Sequence, residues 1–249
     1  MKAWKRRLLF AAGAACLMLP VAMQSLQAMD ARRQIESREI IKEQENEKIL
    51  AEARAWNETL KTTGKRDGYE NVLDPYDNGI MGYLTIPKID LELPIYHGTS
   101  DEVLDQGVGH LEYTALPVGS VGMRPVLSAH RGRPGAELFT RLDEMEEGDL
   151  FSIETAGKTL NYQVTDIRVI KPEETDALAA DPEKDQVTLL TCTPYGINSH
   201  RLLVTGTATN RQAGSAGFGI SWRNVLYLLI PTGLGLVWII STRKRKETT

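Results

Sequence analysis

The chain has 249 residues, of which 42% are hydrophobic and 25% are charged, a composition typical of a folded protein. Its 33 acidic residues outnumber its 29 basic residues, so the formal net charge is −4 and the chain lacks the overall basic character that nucleic-acid binding requires. Length and charge indicate one medium-sized domain with accessory segments, and they exclude nucleic acid as the expected partner.

Both ends of the chain carry an apolar run beside basic residues. Basic residues within 2–7 precede an uncharged run, 8–28, that is long enough to cross a bilayer. A second apolar run, 225–240, is followed by basic residues at 243–246. By the positive-inside rule, we expect a membrane protein with both termini in the cytoplasm and the intervening domain outside the cell. A cleaved signal peptide ending near Ala28 is the alternative for the first run.

The N-terminal segment 1–29 is followed by a predicted helical stalk, 30–63. From 30 to 60 the sequence contains neither Gly nor Pro and is rich in Glu, Lys, Arg, Gln and Ala, which favours a helix. Apolar residues recur at the spacing of one helical face, which predicts a stripe that docks on the domain. These residues are Ile49, Ala53, Trp56 and Leu60. Turn-forming residues then dominate 64–81 and predict a loop.

Short apolar or alternating runs separated by Gly, Pro and Asp predict β-strands after this loop. The predicted strands are 82–86, 91–96, 124–129, 149–154, 158–170, 186–191 and 201–207. Two brief helical stretches are predicted at 136–146 and 174–180. Many short strands at this spacing indicate a mainly β fold, a barrel or a sandwich. The expected order is a β domain over 82–210, a linker over 211–221, a transmembrane helix over 222–242 and a basic tail over 243–249.

Cys192 is predicted to be a free thiol in the β domain. The other cysteine, Cys16, falls within the N-terminal apolar run, so a disulfide would have to join the membrane interior to an extracellular strand end. A lone thiol is either buried and inert or has a chemical role, and its surroundings decide between the two.

Arg201 opens the strand that follows Cys192 by nine residues, so the two are expected at the same end of a sheet. A thiol nucleophile needs a proton partner, and acyl transfer needs a fixed charge or donors for the oxyanion. Arginine suits the second task because it stays charged and offers planar donors. His97, His110 and His130 are candidates for the first task, and the pattern alone does not choose among them.

The sequence resembles the sortase family around these positions. TLLTC, at 188–192, matches the signature TLxTC, and VLSAHRG is similar to the stretch around the family's catalytic histidine. The longer segment TLLTCTPYGINSHRLLVTG resembles the catalytic strand, loop and arginine strand of class C, pilin-polymerising sortases. The resemblance implies Cys192 as nucleophile, His130 as general acid and base, and Arg201 as the group that stabilises the oxyanion or orients the substrate. It also implies a mainly β fold, a closed sortase-type β-barrel with short peripheral helices, an N-terminal helical segment and terminal transmembrane helices.

Asp74, Pro75 and Tyr76, before the first predicted strand, resemble the lid motif of pilin-polymerising sortases. The resemblance implies that Tyr76 lies over Cys192 and that Asp74 faces Arg201. Taken without the resemblance, DPYDNG is a turn with favourable turn residues, and this alternative stays open.

The activity that the resemblance implies is a two-step acyl transfer. Cys192 forms a thioester with the threonine of an LPxTG-like sorting signal, and a lysine amine of a pilin then forms an isopeptide bond. The expected partners are therefore pilins that carry a sorting signal and an acceptor lysine, and the membrane. No cofactor or metal is expected, since the sequence shows no ligand cluster at metal-binding spacing. The alternatives are a housekeeping sortase that attaches proteins to peptidoglycan and an inactive pilus-assembly scaffold.

Overall fold

The computed structural model describes residues 43–76, 78–133 and 135–214, together with Trp4. Apart from Trp4, these residues belong to one unit, 31–217. The predicted membrane segments, 1–29 and 222–242, lie outside the described residues except for Trp4. Among the described residues, no helix has both the length and the apolar character that a membrane span requires.

Within the described residues, eight strands close into a barrel in the order β1-β2-β3-β4-β7-β8-β6-β5. Their bounds are β1 Ile80–Ile86, β2 Leu91–His97, β3 Val108–His110, β4 Val126–Ser128, β5 Leu150–Thr155, β6 Lys158–Ile170, β7 Gln186–Thr193 and β8 His200–Ala208. The pairs β2–β3 and β4–β7 are parallel, and the other neighbouring pairs are antiparallel. The prediction of a mainly β fold that closes into a barrel is confirmed.

Two helices accompany the barrel in the described part of the chain, α1 over Glu43–Thr63 and α2 over Asp101–Gln106. Sequence analysis did not predict α2, which is only six residues long and begins where Ser100 Oγ accepts a hydrogen bond from the Val103 N–H. The helices predicted at 136–146 and 174–180 are wrong. These stretches form turns with short 3₁₀ segments, Leu142–Glu144 and Thr175–Leu178.

Tertiary burial explains the loss of the first predicted helix. Leu138 has a φ of 37°, which no right-handed helix accommodates. The next residue, Phe139, is fully buried, and its N–H donates to the carbonyl of His130 at 3.1 Å. Packing of this stretch under the loop that follows β4 therefore overrides its helical propensity.

The helix α1 packs against the core through one face. Leu50, Ala53 and Trp56 are buried and belong to the hydrophobic core. Asn57 is also buried; its amide donates to the Leu116 carbonyl at 3.0 Å and accepts from the Leu116 N–H at 2.7 Å. The predicted docking stripe is confirmed: Ala53 and Trp56 are buried in the core, and Ile49 and Leu60 are partly buried and pack against it. A stalk formed by the rest of segment 30–63 stays a prediction.

Candidate active site

The strands β4, β7 and β8 are neighbours in the barrel, and their side chains alternate between its interior and its exterior. The interior positions belong to the hydrophobic core: Leu127, Ala129, Val187, Leu189, Leu202 and Val204. The alternate positions lie on the opposite side of these strands, which we call the outer face: Val126, Ser128, His130, Thr188, Leu190, Cys192, Arg201, Leu203 and Thr205. Within this face, Val126, Thr188, Leu203 and Thr205 are buried.

Cys192 lies near the end of β7, on the outer face, and its side chain is half-buried. In the antiparallel ladder of β7 and β8 it is paired directly with Arg201. Paired residues of this kind have their Cβ atoms about 5 Å apart and leave the sheet on the same side. The thiol and the guanidinium therefore emerge side by side.

His130 follows β4, which runs parallel to β7 on the other side of Cys192. Ser128 is paired with Leu190, and the pairing continues beyond it, because the Ala129 N–H donates to the Leu190 carbonyl at 3.2 Å. Thr191 Oγ1 also donates to the Ala129 carbonyl at 2.8 Å. His130 and Cys192 each follow the pair Ser128–Leu190 by two residues, so we expect the imidazole to lie near the thiol. The guanidinium of Arg201 would then lie on the other side of the thiol.

His130 also faces a carboxylate that sequence analysis did not single out. Its Nε2 lies 3.8 Å from Oδ1 of Asp105, on α2, and the His130 side chain is 31% exposed. Asp105 is shared, since it also forms an ion pair with Arg133. This grouping comes from two separate chain segments, and no local sequence pattern predicts it.

Arg201 is held by the loop between β7 and β8. Its Nη1 donates to the carbonyls of Asn198 at 3.2 Å and of His200 at 3.1 Å. Among the described residues, its Nε and Nη2 groups donate no hydrogen bond to the protein. The guanidinium is therefore fixed through one nitrogen, and its other donors are available to an acceptor on the outer face.

The other two candidate histidines are committed to structural hydrogen bonds. His110, on β3, is fully buried; its Nδ1 lies 2.8 Å from Tyr69 Oη and its Nε2 lies 2.7 Å from the Ala115 carbonyl. Burial lowers the pKa of His110 to about 4. His97 Nε2 lies 2.7 Å from the Val72 carbonyl. Neither ring is free to exchange protons with a substrate.

Arg131, directly after His130, ties the two sides of the site together. Its side chain is only 8% exposed, and its Nη2 pairs with Asp143 at 2.5 Å. Its Nη1 donates at 2.9 Å to Oγ1 of Thr193, the residue after Cys192. The contact with Thr193 links the chain around His130 to the chain around Cys192. Sequence analysis missed Arg131 because its partners are distant along the chain.

The segment Asp74–Tyr76 makes contacts within its own turn and with β1. Asp74 Oδ1 accepts hydrogen bonds from the N–H groups of Asn78 at 3.2 Å and of Gly79 at 3.1 Å. The ring of Tyr76 stands 5.7 Å from the ring of Tyr83 on β1. Tyr83 belongs to β1, which three strands separate from β7 in either direction around the closed barrel.

The carboxylate of Asp74 caps the N–H groups of its own turn, which are its nearest donors, and the described contacts of Asp74 include no ion pair with Arg201. Pro75 is buried beside it. These are the contacts of the turn that DPYDNG alone predicts. A lid formed by Asp74, Pro75 and Tyr76 stays a prediction.

A groove of about 680 Å³ lies near the end of the outer face that is remote from Cys192. Its lining includes Arg124, Gln186 and Thr205, together with Ala177 and Asp181 of the segment between β6 and β7. Cys192, His130 and Arg201 do not line it. In the described part of the chain, no cluster of three or more His, Cys, Asp or Glu residues is arranged to hold a metal ion.

A family model for the sortase domain matches residues 84–209, about half of the chain. Sortase D of Bacillus subtilis is 31% identical over 121 residues, which are 49% of this chain and 58% of that protein. The match thus spans less than two thirds of this curated relative.

Two solved structures are more similar. The lid mutant of Streptococcus agalactiae sortase C1 is 43% identical, with a TM-score of 0.64 over 69% of this chain and 93% of that chain. Sortase C of Clostridium perfringens with the C-terminal cell wall sorting motif is 38% identical, with a TM-score of 0.67 over 74% of this chain and all (100%) of that chain. These matches confirm the resemblance to class C sortases.

Proposed function

The chain belongs to the sortase family, and we propose that it is a class C sortase, a cysteine transpeptidase that joins pilin subunits through lysine isopeptide bonds. The observation that carries the proposal is the register of three neighbouring strands: Cys192 is paired with Arg201 of β8, and the parallel pairing of β4 with β7 ends two residues before His130 and Cys192. A nucleophile, a proton carrier and a fixed cation side by side are what acyl transfer requires.

In the first step, Sγ of Cys192 attacks the threonine carbonyl of an LPxTG-like sorting signal. A C–S bond forms, and the C–N bond between threonine and glycine breaks. His130 takes the thiol proton and gives a proton to the departing glycine amine. The free donors of Arg201 stabilise the negative charge on the carbonyl oxygen. The similar sortase C of C. perfringens was solved with a cell wall sorting motif, which supports this class of substrate.

In the second step, a lysine amine of a pilin attacks the thioester. The new C–N bond is an isopeptide bond, the C–S bond breaks, and His130 passes the amine proton to the departing thiolate. We propose that this takes place outside the cell, with the domain anchored by the terminal apolar runs, 8–28 and 225–240.

The assignment to class C no longer depends on the lid. Since the lid role of Asp74, Pro75 and Tyr76 stays a prediction, it does not distinguish a pilin-polymerising enzyme from a housekeeping enzyme. The identity of 38–43% to solved sortases C supports the choice of acceptor. A housekeeping sortase would use the same first step and a peptidoglycan amine in the second, so the acceptor decides between the two.

The test is transpeptidation by the full-length protein in membranes. A sorting-signal peptide is offered together with a pilin-derived lysine peptide and an oligoglycine amine, and the products are identified by mass spectrometry. We expect a lysine isopeptide product with wild type, and only the uncatalysed level with Cys192→Ala. Product formation by Cys192→Ala would refute the enzyme mechanism. Exclusive transfer to oligoglycine would establish the housekeeping alternative.

A further inference from the structure

We propose that Arg124 is a positioning residue that holds the connection between β6 and β7, residues 171–185, over the remote end of the outer face and thereby shapes the binding site for the sorting-signal peptide. This inference rests on the proposed function for its substrate. The role of Arg124 itself is argued from its hydrogen bonds and from the burial of its partners.

Four of the five N–H groups of the Arg124 guanidinium are used within the protein. Its Nε donates to Thr188 Oγ1 at 2.8 Å and its Nη2 to Thr205 Oγ1 at 2.9 Å. Its Nη1 donates to the carbonyls of Ala177 and Ala179, each at 2.9 Å. One planar group therefore joins β7, β8 and the connection.

The strand side of this arrangement is rigid. Thr188 and Thr205 are 0% and 1% exposed, and their hydroxyl oxygens lie 3.0 Å apart. Burial lowers the pKa of Arg124 from its ordinary value, but an arginine stays charged at any relevant pH. Its bonds to neutral oxygens are therefore charge-assisted, and stronger than bonds between neutral groups.

Apart from its last two residues, Lys184 and Asp185, whose carbonyls accept hydrogen bonds from Gly122 and Ala208, the connection has little else to hold it. None of residues 171–185 is buried, so the segment adds no side chain to the core. Within 172–183, the hydrogen bonds that the described residues show to the barrel are the two from Arg124. A segment with few apolar contacts unfolds locally at a low cost in free energy, so its position depends on polar contacts such as these.

The distance along β7 between Thr188, which Arg124 contacts, and Cys192 suggests how the connection contacts a bound peptide. Thr188 precedes Cys192 by four residues on β7, a distance of about 13 Å at the rise of an extended strand. An extended peptide with its scissile carbonyl at Cys192 spans this distance with about four residues, the length of LPxT. If the peptide runs along β7 in this direction, its first residues meet the connection that Arg124 holds.

The test compares three variants of the full-length protein. Arg124→Met keeps much of the side-chain length and removes every donor, whereas Arg124→Lys keeps the charge and loses the planar fork. Arg168→Met is the matched control, because Arg168 lines the same groove but is 58% exposed and pairs with Asp166. The first readout is cleavage of the folded protein by endoproteinase Glu-C after Glu173 and Glu174, both exposed in the connection.

We expect Arg124→Met to be cleaved about 10-fold faster than wild type, Arg124→Lys by an intermediate factor, and Arg168→Met at the wild-type rate. The second readout is the release of the glycine-containing fragment from a sorting-signal peptide, which reports the first step without any acceptor. Here Arg124→Met should raise KM about 10-fold and change kcat less than about 3-fold.

Each result decides a part of the proposal. Equal cleavage of Arg124→Met and Arg168→Met would overturn the role in holding the connection. Faster cleavage with an unchanged KM would overturn the role in shaping the site. If Arg124→Met does not fold, Arg124→Lys answers both questions. Failure of transfer to lysine would refute the proposed function and leave these two readouts intact, because neither one uses the acceptor.

Discussion

His130 and His110 belong to two neighbouring regions of the barrel that differ in solvent exposure and in polar partners. His130 follows β4 on the outer face, is 31% exposed and has a carboxylate as its polar neighbour. His110 lies on the adjacent strand, β3, paired with Leu127 of β4, and is 0% exposed. Both of its ring nitrogens are engaged, one by the Tyr69 hydroxyl and one by the Ala115 carbonyl.

The difference shows that the environment, more than the residue type, decides what a histidine does. A ring whose two nitrogens are engaged inside the protein organises the groups around it and exchanges no proton with a substrate. A ring at a strand end, with access to solvent and beside a thiol, is able to carry protons. The predictions below test this division of the molecule into a chemical region and a structural region, from the largest expected effect to the smallest.

Replacing His130 tests the chemical region. We expect His130→Ala to lower kcat/KM for release of the glycine fragment by about 10³-fold, because no other group near Cys192 takes its place as acid and base. The melting temperature should change little, since the side chain is partly exposed. Activity is measured on a sorting-signal peptide and stability by thermal denaturation.

The matched control for this variant is His200→Ala, since His200 is a half-buried neighbour of Arg201 whose ring contacts Ser199 Oγ. It should retain activity within about 3-fold of wild type. Similar losses in both variants would remove the distinction between the two histidines, and His130 would no longer be assigned the proton-transfer role.

A pH titration of stability tests the structural region. The pKa of His110 is about 4 in the folded protein and 6.5 as its ordinary value, so the folded state favours the neutral ring. The stabilisation is fully present above pH 6.5 and is lost as the pH falls towards 4, because the unfolded chain binds the proton first. The free energy of unfolding should fall by about 3 kcal/mol over this window from His110.

Urea denaturation at several pH values between 7.5 and 4.5 measures this loss. His110→Gln keeps a donor and an acceptor but does not titrate, so its stability should be lower at pH 7.5 and should decline less on acidification. If the free energy of unfolding falls equally with pH in wild type and in His110→Gln, His110 is not the group responsible for the loss of stability in acid.

The sequence predicted the features that depend on local pattern. Strand 158–170 was found with its predicted bounds, because it is long and clearly alternating. The adjacency of Cys192 and Arg201 followed from two strands joined by a short loop. The three-residue strand β3 was missed because so short a run shows no periodicity.

Local sequence patterns do not predict the contacts that organise the site. Arg124 reaches Thr205 across 81 positions of the chain, and Arg131 reaches Thr193 across 62. Nothing near these arginines in the sequence marks them as different from exposed ones. The choice between His110 and His130 also depended on burial, which is a property of the closed barrel, and the residues alone left it open.

The smallest expected effect concerns Asp74, whose carboxylate caps its own turn and which the resemblance assigns to a lid. Asp74→Ala removes the acceptor for the N–H groups of Asn78 and Gly79 and should lower the free energy of unfolding by about 1 kcal/mol. Asp74→Asn keeps an acceptor oxygen and should cost less. Since the turn lies beside β1, the rate at which a thiol reagent labels Cys192 should be the same in wild type and both variants. Faster labelling of Cys192 in Asp74→Ala under native conditions would show that this segment covers the thiol as a lid. Asp74 would then belong to the chemical region.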